Sequence, residues 1–531
     1  MLKSSGAMAA ATLTSRILGM FREIAYMAFM NVGWVNDAFQ YAFTIPNLFR
    51  RLLGEGALTA AFIPIFKEKE KLNGETEMWR AANAVVSGLI VTATIIIAMV
   101  MLIISVALSV HHFPEKTELM LRLLRVMFPY MLLVCLAAAM MGMLNARGHF
   151  FIPAMGAAML NVVMIASVYF LAPRFGGGLP SAEKLPAQIF ALAYGVLAAG
   201  IAQAAFQAPT LLKDGFRYRW ISPWRNETVR LVMIRMVPGT IGLAAFQINV
   251  ALVQLIGFFV ATGVVSSFNG AVRLMELPQG IFGISLATYL LPALSGLAAE
   301  KKYPEFRATL RHGLSTLVFM NLISSVLLVV LAEPIVRLLY EHGKFTETST
   351  LRVAGALEYL APGLVMFSTV NILARAFYAL GDTRTPMKIS IACLTLNLAI
   401  AIILLVPLHE EERGPAMANT LTSCVNVGLL LFALRKKLGT LEISELRATT
   451  LRLVWLAALG GAVALLGRNF WEGEIGHSTL LLKVGAVFVP ATAAGIIYWV
   501  GAMVLRIPAA TEIFELAAAR FRRPKLVSKH Q

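Results

Sequence analysis

Ten basic residues lie inside long apolar stretches of this sequence, and all ten are arginine: Arg16, Arg22, Arg50, Arg51, Arg122, Arg125, Arg235, Arg273, Arg352 and Arg375. Arg122, Arg125, Arg235, Arg352 and Arg375 fall near the ends of their stretches, where a long side chain carries its charge back to the headgroups. Arg16, Arg22, Arg50, Arg51 and Arg273 lie deeper, and four of these five crowd into the first two stretches. An arginine at mid-bilayer costs about 2.5–3.5 kcal/mol, so four would cost about 10 kcal/mol. Glu23, Asp37, Glu55 and Glu276 are the charge-balancing or gating candidates that offset part of that cost. A guanidinium presents a planar fork that grips phosphate oxygens in pairs, which the point charge of lysine does not. The chemistry suggested is a cationic central cavity that accepts a phosphorylated, anionic amphiphile.

Three motifs carry these residues. In Ser15-Arg16-Ile17-Leu18-Gly19-Met20-Phe21-Arg22-Glu23, helical spacing puts Ser15, Gly19, Arg22 and Tyr26 on one face. Small residues there let a second helix or a substrate come close. Alternatively, Arg16 and Glu23 form an intramembrane pair that neutralises itself. In the second motif, Asn36-Asp37-Ala38-Phe39 leads to Ile45-Pro46-Asn47-Leu48-Phe49-Arg50-Arg51 and then to Gly54-Glu55-Gly56. Pro46 and the glycines weaken a helix, and broken helices occur at membrane depth where backbone lines a cavity. The alternative is a short cytoplasmic elbow over 47–56. The third, Arg273-Leu274-Met275-Glu276-Leu277-Pro278-Gln279-Gly280, reads either as part of the same cavity or as one local Arg–Glu pair beside a kink.

Membrane helices are the elements that must hold these residues. Of 531 residues, 58% are apolar and 14% charged, against about 45–50% and 25% for soluble domains; mean hydropathy is +0.74. Apolar runs fall at about 7–30, 37–66, 82–110, 118–144, 150–173, 187–212, 231–260, 264–298, 313–332, 351–379, 387–407, 415–434, 453–467 and 480–505. Such runs are too long for barrel strands, and each approaches the roughly 20 residues that a spanning helix needs. The fold class is therefore an all-α polytopic membrane protein with about 14 spans. With both termini inside, the N-terminus, the even-to-odd loops and the C-tail hold 28 Lys/Arg, and the other loops hold 8. That asymmetry follows the positive-inside rule. The first run is interrupted by Arg16 and Arg22 and reads as a retained helix rather than a signal peptide.

A weak repeat relates Arg50-Arg51-Leu52-Leu53-Gly54-Glu55, running on to Pro64, to Arg273-Leu274-Met275-Glu276, running on to Pro292. The offset is about six helices, so two six-helix lobes would keep one orientation and be related by an axis along the membrane normal. The expected organisation is a first lobe over 1–220, a second over 221–440, two extra helices over 441–510 and a basic cytoplasmic tail over 511–531. A formal charge of +17, spread over short loops, suits anionic lipid rather than nucleic acid. Cys135, Cys393 and Cys424 sit in apolar runs at unrelated spacings and suggest neither disulfide nor metal. The sequence has no phosphate-binding G-x-x-x-x-G-K-[ST] loop and no G-x-S-x-G. His409-Glu410-Glu411-Glu412-Arg413 lacks the second histidine of a zinc helix. A transporter is expected rather than an enzyme, with no catalytic residue and no cofactor beyond an unassigned monovalent cation.

The chain resembles the MurJ (MviN) family of lipid II flippases, within the multidrug/oligosaccharidyl-lipid/polysaccharide exporter superfamily. The resemblance rests on Ser15-Arg16-Ile17-Leu18-Gly19 with Arg22, Asn36-Asp37-Ala38-Phe39, and Pro46-Asn47-Leu48-Phe49-Arg50-Arg51. It continues through Glu55-Gly56-Ala57, Ala60-Ala61-Phe62-Ile63-Pro64, Arg273-Leu274-Met275-Glu276, Gly343-Lys344-Phe345-Thr346 and Asp382-Thr383-Arg384-Thr385-Pro386. It implies fourteen helices in two lobes around a central cavity, with the last two helices forming a groove for a polyprenyl tail. It also implies transfer of lipid II, an undecaprenyl-pyrophosphate-linked disaccharide peptide, to the outer leaflet of the bacterial inner membrane during peptidoglycan synthesis. Arg16, Arg22, Arg50 and Arg273 look like the family's cavity arginines and Asp37 like its acidic site, while Glu23 stands where Asp is more usual. Membrane lipids, and contacts with the cell-wall synthesis machinery, complete the implied partners. A sister flippase for an O-antigen or capsule lipid-linked sugar would use the same arginines. A membrane-embedded cell-wall glycosyltransferase is a different class that leaflet-exchange and product assays separate.

Overall fold

Backbone groups buried in lipid must be satisfied within their own segment. In the computed structural model of the chain the apolar runs meet this requirement as helices. The structure describes residues 2–54, 57–224, 226–441 and 443–521, and no strand occurs among them. The helices are α1 (Leu2–Met30), α2 (Trp34–Phe49), α3 (Ala57–Val110), α4 (Glu115–Met127), α5 (Tyr130–Ala146), α6 (Phe151–Ala166), α7 (Ser181–Lys213), α8 (Glu227–Val260), α9 (Val264–Pro278) and α10 (Ser285–Ala299). There follow α11 (Tyr303–Val330), α12 (Ala332–Tyr340), α13 (Glu347–Leu360), α14 (Gly363–Ala379), α15 (Arg384–Leu405), α16 (Arg413–Leu438), α17 (Ile443–Phe470), α18 (Leu480–Val504) and α19 (Pro508–Phe521).

Among the described residues nine helices are long and apolar enough to span a membrane, or eleven if two bent pairs count as one span each. These match eleven of the expected runs; of the other three, 7–30 falls on α1, 37–66 on α2 and the start of α3, and 231–260 on α8. The bends have identifiable causes. α4 and α5 meet at 43° around Pro129, and α13 and α14 at 46° around Pro362, because proline removes a backbone donor. Within α3, Gly74 leaves the helical region with φ 83°. Lys67, Lys69 and Lys71, expected in a loop, therefore lie on a helix that continues the second run to this break.

Packing gathers the chain into two compact units. The first comprises Met1–Gly270, Tyr340–Ser349 and Ile402–Glu412, and the second comprises Ala271–Leu339, Thr350–Ala401 and Arg413–Gln531. In the first, α1 packs on α6, α6 and α5 pack on α7, α2 on α4, and α3 on α5 and α8. Its core includes Phe39, Phe66, Phe128 and Tyr130, all essentially inaccessible. Gly200 of α7 lets α5 approach so closely that a Cβ there would sit 2.8 Å from Leu133 Cβ, the small-residue contact that drives helix association in lipid. The segment between α7 and α8 is clasped by α3: Asn83 Nδ2 donates to Arg217 O at 3.0 Å, and Arg219 N donates to Asn83 Oδ1 at 3.2 Å.

In the second unit Phe306, Leu317, Leu373, Phe377 and Leu434 form the core around α10, α11, α14 and α16. α17 and α18 pack on each other and attach to it through α11. Phe319 stacks on Tyr498 at 5.3 Å, and the Tyr498 hydroxyl donates to Phe319 O at 2.9 Å. A four-member ion network joins α12 to the end of α17. Arg337, 4% exposed, donates to Glu333 and, at 3.0 Å, to Glu472; Arg468 donates to Glu333, to Glu472 and, at 3.1 Å, to Val330 O.

Candidate functional site

Ser15, Gly19 and Arg22 do share a face of α1, and a helix comes close to it. Asn161 of α6 donates through Nδ2 to Ser15 O at 3.1 Å and accepts from Arg22 Nη1 at 3.1 Å. A Cβ at Gly19 would lie 3.8 Å from Asn161 Nδ2, an ordinary van der Waals contact, so this approach does not depend on the glycine. Arg22 is 7% exposed. Its guanidinium stands 5.4 Å from the centre of the Tyr26 ring, with Glu23 Oε2 3.7 Å from Nη2. Arg22 Nε finds no acceptor among the described residues. The carboxylate of Glu23 thus stands beside Arg22, whereas Arg16, one and a half turns earlier, is exposed.

α2 contains Pro46 and ends at Phe49, after which Arg50–Gly54 form a π-helical turn. Such wide turns interrupt a helix without ending it and recur at functional positions. Arg50 donates through Nε to Asn47 Oδ1 at 2.7 Å, and Arg51 through Nη1 to Gln247 Oε1 of α8 at 3.3 Å. Both arginines are half-buried. Glu55 lies outside the described residues.

Asp37 is fully buried at the start of α2. It accepts from Gly263 N at 2.6 Å, from Ser266 N at 2.9 Å and from Ser266 Oγ at 2.8 Å. These donors form the first turn of α9, where a carboxylate is favoured by free N–H groups and the helix dipole. Lys116 Nζ lies 3.1 Å from Asp37, donates to Phe258 O at 2.6 Å, and sits 4.3 Å from the centre of the Phe258 ring. Asp37 therefore balances a lysine and a helix start. Nothing local to Asp37 points to Lys116, which falls between two apolar runs far along the chain.

Gly343-Lys344-Phe345-Thr346 belongs to the same unit and straps the end of α1. Lys344 N donates to Ala28 O at 2.8 Å, and Lys344 Nζ stands 5.0 Å from the centre of the Phe29 ring. Gly343 has φ 61°, and a Cβ there would meet Ala28 O at 2.6 Å. Tyr340, which opens the strap, donates to Gly270 O at 3.2 Å.

A chain of side-chain amides was passed over by sequence reasoning. Asn36 Nδ2 donates to Asn31 O at 2.6 Å and Gln40 Nε2 to Asn36 Oδ1 at 2.9 Å; Asn269 Nδ2 donates to Gln40 Oε1 at 2.6 Å. Gln254 Nε2 donates to Asn269 Oδ1 at 3.1 Å and Thr44 Oγ1 to Gln254 Oε1 at 2.9 Å. The available signal was the four-residue spacing of Asn36, Gln40 and Thr44 and the seven-residue spacing of Gln247 and Gln254 in otherwise apolar helices.

In the second unit Arg273 Nη1 and Glu276 Oε2 are 2.8 Å apart across one turn of α9, both well exposed. Pro278 and a π-helical turn over Gln279–Ile284 follow. The local pair allowed by the sequence is present. Among the described residues no three His, Cys, Asp or Glu side chains are grouped to hold a metal ion.

The family model described as "Lipid II flippase MurJ" matches residues 26–485. A probable lipid II flippase MurJ from Rhizobium tropici is 33% identical, covering 93% of this chain and 92% of its own length. One from Bdellovibrio bacteriovorus is 32% identical over 95% and 94%. Among solved structures, "Lipid II flippase MurJ, inward closed conformation" superposes with TM-score 0.77 at 22% identity, covering 94% of this chain and 99% of that one. An inward-facing multidrug resistance MATE family transporter of the MOP superfamily gives 0.62 at 15% identity, over 82% and 99%, so the fold is common to both branches. With a family match across most of the length and relatives this similar end to end, the chain belongs to the MurJ family of lipid II flippases.

Proposed function

We propose that the protein carries lipid II from the cytoplasmic to the outer leaflet of the bacterial inner membrane, by alternating access of a cationic cavity. Arg16, Arg22, Arg50 and Arg273 grip the pyrophosphate, Glu23, Glu55 and Glu276 trim the cavity charge, and Asp37 acts as a gate. The observation that carries this reading is Arg22: a guanidinium held almost out of solvent on the first helix, positioned by Asn161, with Nε free to donate. A buried cation so partially compensated is costly unless an anion completes it. Support for gating comes from the contacts at the far end of α1. There Asp37 bonds to the first turn of α9, and the 340–349 strap bonds to Ala28. With the termini in the cytoplasm, those contacts seal the outer side while the substrate enters from within, and breaking them opens it.

The test is complementation in a strain depleted of its own flippase, paired with an assay of lipid II accessibility at the outer leaflet. Arg22→Ala and Arg273→Ala should insert normally, fail to complement and leave lipid II inside. The lysine variants should restore only part of the activity, having charge without the fork. Full function of Arg273→Ala would remove it from the cavity.

A further inference from the structure

We propose that the amide chain joining α2 to α8 and α9 recognises hydroxyl and peptide groups in the sugar–peptide part of the cargo, separately from the arginines that hold its phosphates. This rests on the flippase reading above and names the residues that would confer headgroup selectivity. Gln40, Asn269 and Gln254 each use one N–H and one carbonyl lone pair within the chain of bonds. A primary amide has two of each, so every link keeps a second donor and a second acceptor. Gln40 and Asn269 are only half-buried, which leaves their second donor and acceptor open to a ligand, whereas Gln254 is buried and Thr44 spends its one proton on Gln254 Oε1 or Gln40 O.

The chemistry fits hydroxyl and peptide groups. Neutral amides exchange bonds with such groups at little net cost, since one hydrogen bond replaces another. An apolar seam would fasten the helices equally well in lipid but would offer a sugar nothing. The row also ends beside Arg50, one of the arginines assigned to the phosphates. Arg51, next to it in the π-helical turn that follows α2, bonds to Gln247, two turns before Gln254 on the same face of α8. From Gln40 to Arg51 the helical rise is about 16 Å, enough to lay a sugar–peptide headgroup along the amides with its pyrophosphate at the arginines.

The experiment compares two ligands on the full-length protein in nanodiscs: lipid II, and undecaprenyl pyrophosphate, which has the same tail and phosphates without sugar or peptide. Gln40→Met with Asn269→Leu removes two links while keeping volume. The double variant should bind lipid II about tenfold more weakly or worse, the loss of two or more hydrogen bonds, and undecaprenyl pyrophosphate within twofold of the unmodified protein. Arg22→Ala should weaken both ligands together. Asn269→Gln, which retains the amide, should recover part of the lipid II affinity. Equal loss for both ligands in the double variant would make the seam merely structural, and no loss for either would also overturn the proposal. If the unmodified protein binds neither ligand, the flippase reading itself fails, and that outcome is distinct from the other two.

Discussion

A methyl group on residue 343 would sit 2.6 Å from the Ala28 carbonyl oxygen, where the backbone already holds φ at 61°. Because the obstacle is backbone, it has nowhere to move. Gly343→Ala should therefore loosen the strap, destabilising the protein by about 1–3 kcal/mol and lowering the thermal midpoint in detergent. An unchanged midpoint would show that the strap does not hold the end of α1. Asp382 offers a pH-dependent case outside the spans. It caps α15 by accepting from Thr385 N at 3.0 Å, and Lys437 Nζ lies 2.8 Å away. The bonds from Lys437 and Thr385 pull its carboxyl down from 3.8 to about 2. A depressed carboxylate stabilises the fold above its unfolded value and loses that contribution as pH falls through the folded one. Asp382→Asn, which can still cap α15 but loses the charge facing Lys437, should cost about 0.2–1 kcal/mol near neutrality. Acid unfolding should show the gap between the two proteins closing from about pH 4 to pH 2. At this scale the sequence revealed what lies within a helical turn or two: the Ser15–Gly19–Arg22 face and the Arg273–Glu276 pair. It could not reveal Asp37 with Lys116 or Arg22 with Asn161, because nothing local links residues so far apart in the chain.

Helices were readable wherever apolar length alone decides them, whereas the bends at Pro129 and Pro362 emerge only in the structure. The π-helical turns after Phe49 and Pro278 were legible only as weak points, since glycine and proline show that a helix is stressed and not how it yields. Gly74 shows the opposite difficulty. Charges over 67–71 suggested a loop, yet helix continues through them until a positive φ breaks it. The ion network of Arg337, Arg468, Glu333 and Glu472 was hidden because its members lie on α12, α17 and the turn beyond. Removing one member of a buried set leaves the others uncompensated, at about 3–5 kcal/mol. Arg337→Ala should accordingly lower stability by that order, measured by unfolding in detergent. Retention of the original midpoint would mean that the network contributes nothing to holding α17.

As a member of a flippase family the molecule is a transporter and not an enzyme, and its sequence contains no nucleotide-binding loop. Under the proposed function, the driving force is then a gradient or the consumption of product outside. Moving one charge through the membrane is worth about 2.3 kcal/mol per 100 mV. On the same proposal, an anionic headgroup leaving a negative interior would run with that field, and so would an empty cationic cavity returning inward. Collapsing the potential at constant pH and sodium should stop lipid II translocation, whereas removing the pH gradient alone should not. Translocation at full rate with the potential clamped at zero would point instead to a coupled ion. The apolar pattern and the positive-inside loops gave the fold class from sequence, and the family strings gave the cargo. The gathering of distant segments into each compact unit follows from packing, which no run of residues announces.

That gathering has a consequence for how the protein is made. The first unit needs Tyr340–Ser349 and Ile402–Glu412, and Glu412 is synthesised 142 residues after Gly270. At about 5–20 residues per second, the ribosome takes about 7–28 s to supply the missing pieces. For about the first half of that interval Ala28 lacks the strap, which is complete 79 residues after Gly270, and the nascent unit stays unfinished until Glu412. A fragment stopping at Gly270 would lack both late segments permanently, so it should be less stable in the membrane than the full chain.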